Sequence, residues 1–350
     1  MFVTSKLKTA DRDTASRPHR FILAVIIYAC FAIYLYSSHL ENLRLPQYLL
    51  VVNVCLASLG CFVLSRRWVS SFAGSFFAGA IYGFGPFVLG LAKFHPTAGF
   101  LAAVIPWLFC PAAFLGKSHW RWAALLLSAL PFLAVLLFFR VSADYQLFAV
   151  VIQTSPRASG GDLLGLFAPL VAANHSLVPL GFYHVPLAAL LMGFGMLLAA
   201  RRIGIMTILC LGTVLAFRGS FFSVSPILWL SIPAVCCSVL VGVGVQGLTS
   251  AGFADRKWVL LVSIILGTFA IVALLLATRY FQVFLGFAAE YARFFTQTGK
   301  MYILGAVAVG IIFFVVRAKL RVTVIRRIIL SAAMAIDIFF SARFIVDKVL

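Results

Sequence analysis

Of the 350 residues, 63% are hydrophobic and 11% are charged, against about 25% charged in ordinary soluble domains, and the mean hydropathy is +1.10. That balance excludes a large soluble enzyme, a disordered chain and a secreted disulfide scaffold, and describes a chain that crosses a bilayer many times. The net charge of +19 comes from 28 Lys and Arg against 9 Asp and Glu; the cations lie between apolar runs rather than in one patch, which speaks against nucleic acid as a partner and marks them as loop residues.

Residues 1–20 form a basic tail carrying Lys6, Lys8, Arg12, Arg17 and Arg20. The apolar run from Phe21 is followed by no small-residue cleavage site, so it reads as a first transmembrane helix rather than a signal peptide. Residues 21–350 then read as one all-α domain, a polytopic transmembrane helical bundle of about eleven spans. The expected spans are 21–37, 46–64, 70–91, 97–116, 122–139, 183–200, 203–217, 226–248, 258–277, 301–316 and 327–346, those at 203–217 and 301–316 being short. A cytoplasmic N-terminus places 18 cations inside and 10 outside, including the inner cluster Arg317, Lys319, Arg321, Arg326 and Arg327. The C-terminus then lies outside, and the expected location is a bacterial cytoplasmic membrane.

Two external segments are too long for simple turns. The loop 140–182 holds Asp144, Pro156, Gly160 and Gly161, then an apolar stretch for which Asp162 is a candidate N-cap. The segment 279–300 places Arg279, Gln282, Glu290, Arg293, Gln297 and Lys300 on one helical face, which predicts an amphipathic helix in the outer interface. Gly79 and Gly83, four apart, predict a close helix approach. Pro106, Pro111 and Pro131 should kink or break their spans.

The seven cysteines all fall within expected spans in no metal-binding spacing, and the six histidines show no zinc motif. No phosphate loop, dinucleotide fingerprint or nucleophile elbow occurs. Asp337 is an acid in mid-span, expected either to hydrogen-bond within the bundle or to mark a proton or ion path. On the expected outer face stand Arg140, Arg157, Arg218, Arg279 and Arg293. Arginines there suit either lipid headgroups or an anionic ligand. Arg218 opens a Gly, Ser and Pro-containing stretch that predicts irregular backbone at membrane depth.

Four pieces of sequence resemble the bacterial YfhO-like membrane proteins, related to the GT-C class of glycosyltransferases. They are Ser65-Arg-Arg with Ala80-Ile-Tyr-Gly-Phe-Gly-Pro-Phe; His95-Pro-Thr-Ala-Gly-Phe through Ile105-Pro-Trp; Gly181-Phe-Tyr-His-Val-Pro-Leu-Ala-Ala-Leu; and Phe217-Arg-Gly-Ser through Ile232-Pro. The resemblance implies a GT-C-like fold and an outer-face enzyme that takes a sugar from a polyprenyl-phosphate carrier, with a divalent metal if it is catalytic. It also implies Glu41 as the catalytic residue, and His39, His95, Arg157, Arg218 and Arg293 as substrate contacts. The family's long acidic first external loop is here only Ser37 to Pro46, with Glu41 its sole acid. Three readings follow. One is a non-catalytic scaffold or accessory subunit with a membrane-protein partner, serving lipid-linked glycan metabolism. The second is an active glycosyltransferase, and the third a transporter or lipid flippase. Membrane lipids are partners in all three.

Overall fold

The computed structural model describes residues 18–39, 48–91, 96–115, 123, 126–134, 137, 164–174, 181–200, 203–218, 226–281, 290–318 and 322–349. Among these, helices account for nearly all residues and no strand occurs. In chain order they are α1 (Pro18–Tyr36), α2 (Tyr48–Ser65), α3 (Phe72–Gly83), α4 (Pro86–Leu91), α5 (Pro96–Leu115), α6 (Leu164–Phe167), α7 (Pro169–Asn174), α8 (His184–Ala199), α9 (Ile203–Phe217), α10 (Pro226–Trp229), α11 (Ser231–Ser250), α12 (Arg256–Leu276), α13 (Glu290–Arg317) and α14 (Thr323–Val349).

Among the described residues, seven helices are long and apolar enough to cross a membrane: Pro18–Tyr36, Tyr48–Ser65, Phe72–Leu91, Ser231–Ser250, Phe253–Leu276, Tyr291–Arg317 and Thr323–Asp347. Three shorter apolar helices, Gly99–Phe114, His184–Ala199 and Ile205–Phe217, occupy further expected spans. The remaining one, 122–139, is helical over 126–134 and otherwise lies largely outside the described residues. Rows of exposed apolar side chains, such as Ile22, Ile26 and Ile33 on α1 and Leu261, Ile264 and Ile271 on α12, have the character of a lipid-facing surface. The inner helices approach through small residues. A Cβ on Gly79 or Gly83 would overlap the Ser58 carbonyl or the Val54 carbonyl of α2, and Gly74 and Gly242 meet backbone to backbone between α3 and α11.

The described residues add detail to four of the expected segments. The span 70–91 is interrupted at Phe84 and Gly85, because a residue before proline disfavours helical backbone and Pro86 follows at once. Pro106 and Pro111 both lie inside α5, which runs on past them. Pro106 has no N–H for the carbonyl of Ala102 four residues earlier, and the Tyr82 hydroxyl donates to that carbonyl at 2.5 Å instead. The second half of the expected interfacial helix over 279–300 is the start of α13, continuous with the span that follows. No proline interrupts it, Arg293 and Lys300 stay on its exposed side, and Phe294, Phe295 and Thr298 turn inward. Residues 282–289 lie outside the described residues. Finally, the end of the 140–182 loop folds inward as α6 and α7: Ala168, Leu170 and Val171 are fully buried, and Ala168 and Val171 cluster with Phe294 and Phe295.

The charged groups of α14 mark two ends. The Arg326 guanidinium donates to the Ala251 carbonyl at 2.7 Å, beside the start of α12. Asp347 accepts from or pairs with His39, just beyond α1, at 3.1 Å. At 1.5 Å per residue these groups stand roughly 31 Å apart, close to the ~30 Å of a bilayer's hydrocarbon core.

Candidate functional site: a buried histidine–aspartate pair

Asp337 lies halfway along α14, roughly 15 Å from each charged end. Its side chain and that of His184 are both wholly buried. Oδ1 receives the His184 ring nitrogen Nδ1 at 3.0 Å and the Ser341 hydroxyl, one turn along the same helix, at 3.0 Å. Oδ2 accepts the backbone N–H of Val185 at 2.6 Å.

The reason lies in how α8 begins. The first N–H groups of a helix have no partner within it. Tyr183, in the N-cap position, makes no side-chain cap, and Pro186 brings no N–H of its own. The chain enters past Gly181, whose φ of 151° suits glycine and whose Cβ would overlap the Gly165 carbonyl of α6. The orphan donors therefore face α14, and the Asp337 carboxylate caps the positive end of α8 from a neighbouring helix. Acceptance by a carboxylate sets His184 Nδ1 as the donor. Its Nε2 is buried and meets no hydrogen-bond partner among the described residues.

Tyrosines enclose the pair. The Tyr302 ring stands edge-on to the imidazole, 4.9 Å between centroids at 87°, and its hydroxyl donates to the Phe167 carbonyl at 2.7 Å, where α6 stops before Pro169. Tyr183 donates at 2.5 Å to the Phe84 carbonyl, in the interruption between α3 and α4. Each hydroxyl thus satisfies a carbonyl next to a helix break, as lipid-excluded backbone requires. Tyr183→Phe should leave the Phe84 carbonyl without this donor and cost about 1–3 kcal/mol. The check is a lowered thermal midpoint of the purified protein, with Tyr34→Phe, on the exposed surface, unchanged.

Of the candidates read from sequence, His39, Arg218 and Arg293 are described. His39 is joined to Asp347, which also binds Arg343 Nε at 3.2 Å, while Arg343 donates to Ser38 Oγ at 3.1 Å. This cluster ties the end of α1 to the end of α14. Arg218 is exposed at the end of α9 and Arg293 is exposed on α13, and no described bond joins either to His39. Glu41, His95 and Arg157 lie outside the described residues. Among the described residues no group of three or more His, Cys, Asp or Glu converges as metal ligands. Asp347, the described carboxylate of the His39 cluster, is already held by His39 and Arg343, so that cluster does not fit the divalent ion implied by the resemblance. Cys61 and Cys237 are buried in apolar packing, and all seven cysteines are free thiols.

Sequence reasoning singled out Asp337 but not His184. The available signals were the spacing of Asp337 and Ser341 on one helical face, and a histidine in the first turn of a span two residues before a proline.

No family model matches the chain, and neither a curated protein nor a solved structure is similar to it.

Proposed function

We propose that this multi-pass helical membrane protein is a non-catalytic scaffold or accessory subunit in lipid-linked glycan metabolism of a bacterial envelope. Its N-terminus is cytoplasmic and its C-terminus external, with eleven spans in a GT-C-like arrangement. The glycan connection rests on the YfhO-like sequence pieces. The scaffold role rests on one structural observation: both oxygens of the acid placed within the spans, Asp337, are occupied by donors that fasten α8 to α14. A carboxylate used as a helix cap holds architecture together. His39 likewise serves a helix-to-helix tie.

Purification of the full chain from its own membranes in mild detergent tests this. A membrane protein should co-elute in fixed ratio, and Glu41→Gln should leave envelope glycan unchanged. Loss of a glycan modification in Glu41→Gln would establish the enzyme reading in its place. A chain that elutes alone in every mild detergent contradicts the scaffold.

One observation favours a transporter as a second reading. A helix start at Tyr183 and a helix interruption at Phe84 meet in the bundle interior, beside a histidine–aspartate pair. Discontinuous helices at mid-depth mark ion sites in transporters. Proteoliposomes holding the protein would then move protons or lipid-linked sugar, and Asp337→Asn would stop them.

A further inference from the structure

The outward side of α13 changes character along its length. Arg293, Gln297 and Lys300 share one helical face with Ile303, Ile311 and Phe314, since all are spaced by whole turns of three or four residues. Arg293 and Lys300 are exposed, and the three apolar side chains are each at least 41% exposed. The opposite face packs inward through Phe295, Tyr302 and Val309. Phe294 meets Phe344 of α14 at 5.1 Å between ring centroids, which puts the cationic end of α13 on the His39–Asp347 side of the bundle.

The depth of these groups follows from helix length. Gln297 lies twenty residues before Arg317, the last residue of α13, and at 1.5 Å per residue that is roughly 30 Å, the thickness of a bilayer's hydrocarbon core. Arg293 stands one further turn out, at headgroup level. Lys300 starts one turn lower, but helical side chains lean toward the N-terminus of their helix and a lysine stem reaches for water, so its ammonium rises toward Gln297 and Arg293. Among the described residues no hydrogen bond or ion pair engages any of these three side chains. A guanidinium fork, an ammonium and a carboxamide N–H₂ together match phosphate oxygens. The apolar part of the face runs on from Lys300 to Phe314 for roughly 21 Å, long enough for the chains of one leaflet. A ligand with an anionic head and apolar chains fits both parts. A zwitterionic headgroup would bring its own cation against Arg293 and Lys300, so net negative charge is selected.

We propose that Arg293, Gln297 and Lys300 form a binding site for the headgroup of an anionic phospholipid whose acyl chains lie along Ile303, Ile311 and Phe314. The site is independent of the glycan reading. It holds a lipid molecule against the outward side of α13, in the leaflet on the His39–Asp347 side.

The test uses the full chain in detergent with defined phosphatidylglycerol and phosphatidylethanolamine, and reads bound lipid by native mass spectrometry. Phosphatidylglycerol should be retained several-fold over phosphatidylethanolamine. Arg293→Gln and Lys300→Gln, neither of which breaks a described side-chain bond, should each reduce that preference, and the double variant should abolish it. Arg218→Gln removes an exposed arginine at the end of α9 and should leave the preference intact. Thermal midpoints in phosphatidylethanolamine alone establish that each variant is folded; if the double variant is not, the single variants decide. Equal retention of the two lipids, or an unchanged preference in either single variant, overturns the proposal. An equal loss in Arg218→Gln overturns it too, by showing that net charge alone attracts the lipid. Displacement of the lipid by millimolar inorganic phosphate would show a free-anion site instead and also overturn it.

Discussion

Asp337→Ala should destabilise the protein by about 3–5 kcal/mol, the cost of leaving one side of a buried charged or strongly polar pair without its partner. The substitution removes the acceptor of three groups at once: the imidazole of His184, the N–H of Val185 and the hydroxyl of Ser341. None has water to turn to, because the site has no exposed surface. Asp337→Asn keeps one acceptor oxygen but turns an amide N–H₂ toward donors, so its cost should be smaller, about 1–3 kcal/mol. The expected order of thermal midpoints in one detergent is parent, then Asn, then Ala. His184→Ala should also destabilise, and the double variant Asp337→Ala with His184→Ala should lose less than the sum of the two, since both break one network. An Asp337→Ala variant that melts with the parent would show that the carboxylate does not hold α8 to α14.

Gly83→Val should separate α2 from α3. A Cβ at Gly83 would occupy the space of the Ser58 hydroxyl and come within 2.5 Å of the Val54 carbonyl. The carbonyl is backbone within a helix and cannot rotate aside. Overpacking of a core costs about 1–3 kcal/mol, and a side chain forced against backbone belongs at the upper end of that range. Gly83→Ala should follow the same direction with a smaller effect. Gly267→Ala is the control: a Cβ there meets nothing within 4 Å on α12, and alanine replaces the poorest helix former short of proline. Its thermal midpoint should equal or exceed that of the parent. Equal losses from Gly83→Ala and Gly267→Ala would indicate a general intolerance of glycine replacement rather than a close contact at Gly83.

The membrane helices were legible because apolar runs near the bilayer length leave a strong signature in composition alone. The Gly79 and Gly83 contact was legible for a related reason: residues four apart share a helical face, and small ones there permit approach. Details that depend on a second helix were not. Pro106 announces a missing N–H, but nothing near it in sequence shows that Tyr82 satisfies the Ala102 carbonyl. The polar row from Arg293 to Lys300 gives the same pattern whether the helix ends or runs on into the next span. The structure shows that it runs on. The buried site was half visible. Asp337 stands out as an acid among apolar neighbours, whereas His184 looks like a histidine at a helix start until α14 is packed beside it. Of the candidate site residues, His39, Arg218 and Arg293 fall among the described residues, and no described bond joins either arginine to His39.

The claim on which the account depends is that the Arg317–Arg327 end and the His39–Asp347 end face opposite sides of a membrane. Single cysteines at Ser38 and at Ala318, in a chain whose seven native cysteines are replaced by alanine or serine, measure this directly in intact cells with a membrane-impermeant thiol reagent. The account predicts labelling of Ser38→Cys in intact cells, and of Ala318→Cys only after the cells are opened. Labelling of Ala318→Cys in intact cells, alone or together with Ser38→Cys, would contradict it.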